Sequence, residues 1–128
     1  MAPDIRVKRI YDPPDANDGA RALVDRLWPR GMRKERAKLT AWLKEIAPSD
    51  ELRRWFGHDP ARFAEFARRY RAELAANKEA VSRIEDLTKV GPVTLLYAAH
   101  DTEHNEARVL ADYLEAHATG RKNAHYGD

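Results

Sequence analysis

The segment Leu23-Val24-Asp25-Arg26-Leu27-Trp28-Pro29-Arg30-Gly31 sets a carboxylate, two guanidinium groups and an indole at the end of an apolar run. Guanidinium forks grip carboxylate or phosphate through paired hydrogen bonds, and an indole supplies a planar wall. Further along, His100, Asp101, His104 and Asn105 follow a second apolar run, while His58 and Asp59 lie between the two. An imidazole titrates near neutral pH and can act as general acid or base. Together these types fit recognition of an anionic small molecule. Arg26 and Arg30 would bind the anion beside Trp28, with Asp25, Ser49 and Asn105 as further polar contacts. His58, His104 and Asp101 are the candidate catalytic groups, and whether any reaction follows is left open.

Each residue also has a plain structural use. Asp25 and Arg26 can form an ion pair, Trp28 can fill core, and Ser49 and Asp101 can cap helices. His104 can be a first-turn surface residue and His58 can bridge an interhelical turn. The functional reading therefore needs these groups to converge in space. In open α/β sheets ligands bind outside the carboxyl ends of the strands, and both polar groups follow strand-like runs.

The elements that would position them are readable. Residues 4–11 begin with strand alternation, and Asp12 to Gly19 form a loop rich in Pro and Asp-Gly turn signals. A second strand is expected over 21–27. Residues 38–47 are open between a helix, from the stripe Leu39, Trp42, Leu43 and Ile46, and a strand. Ser49 then caps a short helix bearing Leu52, Trp55 and Phe56, with Gly57 past its end. Asp59-Pro60 reads as cap and first residue of the next helix, whose face is Phe63, Phe66, Ala67, Tyr70 and Leu74. A further helix over about 78–90 ends at Gly91-Pro92. Val93 to Ala99 is a strand covered on both faces, and Asp101 opens the last helix. The result is a small three-layer α/β sandwich, with a partly parallel sheet of three to four strands flanked by helices. It forms one domain over 1–117, with 118–128 a loose tail.

The 128 residues suffice for one hydrophobic core. There are no cysteines, which excludes disulfides, thiol catalysis and Cys-based zinc sites. No apolar run reaches the length of about eighteen residues that a membrane span needs, and no signal-peptide pattern opens the chain. A cytoplasmic protein is expected. Net charge is only +2, yet Arg26, Arg30, Arg33, Lys34, Arg36 and Lys38 face only Glu35. That local positive field attracts anions. It leaves nucleic-acid binding through 26–38, with Trp28 stacking, as the alternative, and a non-catalytic interaction module as a third reading. His100 and His104 have metal-ligand spacing, but a cap at Asp101 leaves His100 off the helix, so no metal is assigned. No phosphate loop or nucleophile elbow is present, and no cofactor is expected. Self-association is left open.

The blocks 23–31, Trp42 to Ser49, Trp55 to Pro60, Phe66 to Leu74, Val93 to Ala99 and Glu103-His104-Asn105 resemble, in order, the YeaO-like family, a bacterial domain of unknown function. The resemblance runs from about residue 5 to 117. It implies a compact cytoplasmic α/β protein and no established substrate. It also implies that Asp25, Arg26 and Pro29 end a core strand, and it leans 39–45 towards a strand. His100 stands where that family commonly has another polar or basic residue.

Overall fold

The computed structural model describes the backbone of residues 3–127 and the side chains of 3–118. Its organising element is β4 (Val93–Tyr97), whose five residues are all buried. A strand with apolar side chains on both faces is stable only between two covering layers and two neighbouring strands. Here β1 (Ile5–Arg9) and β2 (Ala20–Leu23) supply those neighbours. The sheet order is β1-β4-β2-β3, and every pairing is parallel. Ile5 pairs with Val93, and Ala20 pairs with the same residue on the other side. The carboxyl ends of β1, β4 and β2 therefore emerge along one edge.

The two faces are covered unequally. Ala22, Val24, Val93, Leu95 and Tyr97 share one core with side chains of α2 (Asp50–Phe56), α3 (Phe63–Ala76), α4 (Lys78–Val90) and α5 (Glu106–Gly127). On the opposite face Ile10, Leu23 and Leu96 pack against Ala37 of α1 (Lys34–Ala37), Trp28, Met32, Leu39 and Trp42. That third layer is thin because one short helix and its flanking loops build it. The stretch expected as a loose tail, 118–128, overlaps α5, whose helical backbone runs to Gly127, and its side chains from 119 on lie outside those described.

The helix limits follow their local signals. Ser49 Oγ accepts from the Leu52 N–H at 3.2 Å, and Gly57 ends α2 in the left-handed region at φ 55°. Asp59 accepts from Ala61 N–H at 3.0 Å and opens a short 3₁₀ turn, Pro60–Arg62, which leads into α3. Three expectations need correction. The second strand was placed over 21–27 but ends at Leu23, with the Val24 N–H making the last ladder bond to Leu96 O at 3.0 Å. Residues 38–47 are neither a full strand nor a helix. β3 is only Ala41–Trp42, because the chain then tightens into a 3₁₀ turn, Lys44–Ile46. Asp101 does not cap the last helix: its carboxylate accepts from the N–H groups of Glu103 and His104 and meets the His104 ring, while Asn105 Oδ1 accepts from Arg108 N–H and caps α5.

At the amino ends of the strands, the buried carboxylate of Asp18 meets Arg21 at 2.5 Å and Lys8 at 3.2 Å. Burial works against its ionisation. The Asp15 N–H, Lys8 and Arg21 outweigh that and hold its pKa below the usual value. Arg21 also donates to Ala37 O, tying α1 to the sheet. Next to this cluster Gly19 sits at φ 65° against Pro92, and an added Cβ would collide with the Pro92 carbonyl. That carbonyl is held in place as acceptor for Ala20 N–H at 2.9 Å. Gly19→Ala therefore meets both a forbidden φ and a fixed backbone wall. The expected loss is about 2 kcal/mol or more, read as a lowered denaturant midpoint with an unchanged m-value.

Candidate functional site

Where the chain leaves β2 it does so through Asp25. Its Oδ2 accepts from Ala98 N–H at 3.0 Å, so a side chain continues the β2–β4 ladder after the backbone has turned away. Its main-chain oxygen accepts from Trp42 Nε1–H at 2.8 Å. The other carboxylate oxygen, Oδ1, is buried and has no hydrogen-bond partner among the described residues. The group that meets Asp25 is the carboxyl of Glu106, hydrogen-bonded to it from the first residue of α5. Two carboxyls in contact cannot both be ionised without strong repulsion. Burial, then the hydrogen bond to Asp25 and that group's charge, push Glu106 well above the usual carboxylate range. Its own N–H and that of Ala107 act in the opposite direction. Burial and Asp25 outweigh these and favour the protonated form of Glu106.

A cleft of about 590 Å³ opens above this pair. Asp25, Glu106 and Asn105 lie along it with Ala98 and Ala99 from the end of β4, Phe56 and Phe66 from α2 and α3, and Ala47-Pro48 before α2. Its charged and imidazole groups are Arg26, Arg53, His58, His100 and Asp101. The volume falls in the range of small-molecule sites, with apolar walls and a few polar groups. Arg26 does not pair with Asp25. Its Nε and Nη2 donate over 3.2–3.4 Å to the carbonyls of Ala47 and Pro48, with Asp50 at 3.8 Å, and Nη1 has no protein acceptor among the described residues. Arg53 meets only Asp50, at 3.5 Å. His58 is exposed and has φ 57°, directly after Gly57 at φ 55°. Two successive left-handed residues swing the chain sharply between α2 and the next turn and put the imidazole beside the cleft.

The structure brings Asp25, Arg26, His58, Asp101 and Asn105 to this one cleft. The remaining sequence candidates stand elsewhere. Trp28 donates its Nε1–H to Met32 O at 2.8 Å and meets Trp42 edge-on at 5.3 Å against the second core. Arg30 is exposed, and its carbonyl accepts from the Tyr11 hydroxyl. Ser49 caps α2 and donates its hydroxyl hydrogen to Glu73 at 2.6 Å. His104 Nδ1 lies 2.9 Å from Asp101 Oδ2, and its ring packs edge-on to Phe63 at 5.1 Å. Asp101 is held below the usual carboxylate range by the N–H groups of Glu103 and His104. Asn105 spends both ends of its amide on the chain, donating to Asp101 O and accepting from Arg108 N–H.

Glu106 was missed from sequence because an acid in the first turn of a helix is already explained by the helix dipole. Only the approach of α5 to the end of β2 gives it another meaning. Arg53 carries no sequence signal that singles it out, and the helical spacing of Phe56 and Phe66 marks them as core-facing aromatics.

The fold and the cleft define a small parallel α/β protein with a carboxyl-floored pocket at its strand ends. The chain belongs to the YeaO-like DUF488 family, and the matching family profile, described as "Inactive DUF488-N3 subclade", covers residues 4–126. It is 48% identical over 113 residues to the uncharacterised protein YeaO of Escherichia coli, a match covering 88% of this chain and 98% of that one. It is 44% identical over 110 residues to the uncharacterised protein Rv3073c of Mycobacterium tuberculosis and equally to Mb3100c of Mycobacterium bovis, covering 86% of this chain and 92% of each. No solved structure matches significantly. Among the described residues no helix is long and apolar enough to cross a membrane.

The proton on Glu106 makes stability depend on pH with a definite sign. The unfolded chain releases it near about pH 4.3, whereas the folded protein keeps it to higher pH. Stability is therefore lost as pH rises from the unfolded value through the folded one. Glu106→Gln retains a donor to Asp25 and has nothing to titrate. Its stability relative to wild type should rise steadily as pH increases from 4 to 8, measured by urea unfolding at each pH. A constant difference would show that folding leaves the titration of Glu106 unchanged.

Proposed function

We propose that the cleft binds a small anionic molecule bearing phosphate or carboxylate, and that the protein acts by binding and releasing it. The observation that carries this reading is Arg26. It lines the cleft, its bonds to Ala47 and Pro48 carbonyls are long, and Nη1 has no acceptor among the described residues. A guanidinium held by one edge can offer the other to an oxyanion. Arg53 adds a second positive charge and His58 an exposed imidazole beside the same opening. The apolar walls from Phe56, Phe66 and Pro48 would strengthen such an ion contact by excluding water. The word "inactive" in the family's description favours binding over turnover. Nucleic-acid recognition through 26–38 is the weaker reading, because it calls on Trp28 as a stacking platform and that ring is partly buried against the second core and edge-on to Trp42.

Inorganic phosphate titrated into the full chain by calorimetry should give saturable binding. Arg26→Lys keeps a donor for the carbonyls but loses the fork, and Arg53→Ala removes a charge whose ion pair is exposed. Each should weaken binding about tenfold, with thermal midpoints close to wild type. His58→Asn, which tolerates the left-handed backbone, should weaken it less. Absence of phosphate binding by the wild-type protein would overturn the reading.

A further inference from the structure

The cleft has cations beside its opening and an acid pair at its base, and an anion alone accounts for only half of that. Asp25 and Glu106 both line the cleft. Their internal bonds are the hydrogen bond between them, one oxygen of Asp25 on Ala98 N–H, and the helix-end N–H groups of Glu106 and Ala107 on Glu106. A carboxyl and a carboxylate together offer more lone pairs than these donors use. Asp25 and Glu106 are both partly buried and line the cleft with acceptor oxygens, Asp25 Oδ1 alone being sealed from it. A ligand that placed its anion there would meet a like charge, and one that placed bare carbon there would leave the acceptors dry and unpaired. A hydroxyl does neither.

We infer that the carboxyl groups of Asp25 and Glu106 that line the cleft accept a hydrogen bond from a ligand hydroxyl, so that the preferred ligand is a hydroxylated anion such as a sugar or polyol phosphate. The inference rests on the anion-binding reading and adds the other end of the ligand. In this arrangement the phosphate faces Arg26 and Arg53, the carbon chain lies along Phe56 and Pro48, and a hydroxyl reaches the carboxyl pair. Sites built to hydrogen-bond a substrate hydroxyl reject the analogue that lacks it far more strongly than apolar pockets discriminate by size.

Glycerol 3-phosphate and propyl phosphate have the same three-carbon chain and phosphate and differ only in two hydroxyls. Calorimetric titration of the wild-type protein should give at least about tenfold tighter binding of glycerol 3-phosphate. The double variant Asp25→Asn/Glu106→Gln, checked for its thermal transition, should lose that preference while still binding propyl phosphate. If the wild-type protein binds both probes equally, the carboxyl pair is a structural clasp and the inference fails while the anion reading stands. If it binds neither, both fail. Should the double variant not fold, the wild-type comparison of the two probes still decides the matter.

Discussion

One hydrogen bond, from Ala98 N–H to the carboxylate of Asp25, holds together the end of the sheet at which the cleft lies. At that point both β2 and β4 have ended, and the backbone between them no longer pairs. A side chain takes over the ladder. Because Asp25 is anchored there, its main chain is placed to receive the Trp42 indole from the β3 side. The same carboxylate meets the Glu106 carboxyl from α5. Three separate stretches of chain are fastened to one residue. A neutral apolar residue at position 25 would leave the Ala98 and Trp42 regions without the geometry that shapes the cleft.

The two ends of the sheet handle charge in opposite ways. At the amino ends Asp18 is surrounded by Arg21, Lys8 and an N–H group, and its negative charge is matched. Such a cluster is stabilising above the range where unfolded carboxylates titrate and is lost on acidification, since its pKa is lowered. At the carboxyl ends two acids meet, and their stabilising effect fades as pH rises. A purely structural joint would be better served by the first arrangement. A carboxyl pair beside a cavity, with one pKa pushed up by burial and its neighbour, is a pattern associated with functional sites.

His58 fits the same picture from the other side of the cleft. A non-glycine residue in the left-handed region is unfavourable by roughly 1–2 kcal/mol, and here it follows a glycine in the same region. The sharp reversal lets α2 and α3 stack Phe56 on Phe66 at 4.3 Å while the imidazole stays exposed beside the opening. Trp28, Ser49 and His104 show the converse. Their polar atoms are committed to Met32, Leu52 with Glu73, and Asp101 respectively, and they serve the fold.

What could be read without coordinates was local. Ser49, Gly57 and Asp59-Pro60 mark helix limits because a cap acts on N–H and carbonyl groups within a few residues. The helical stripe from Phe63 to Leu74 and the apolar run of β4 declare their buried faces by period alone. These signals determined an α/β protein with a strand at its centre, and they pointed to the strand ends as the place for a site. The early end of β2, the two-residue β3 and the role of Glu106 depend on contacts between segments far apart in the chain. No periodicity encodes that the carboxyl of residue 25 will bind the amide of residue 98 and a carboxyl eight residues beyond it. Tertiary structure alone decided which polar residues face the cleft and which are consumed by caps, because a side chain's hydrogen-bonding capacity is finite and only packing determines what takes it.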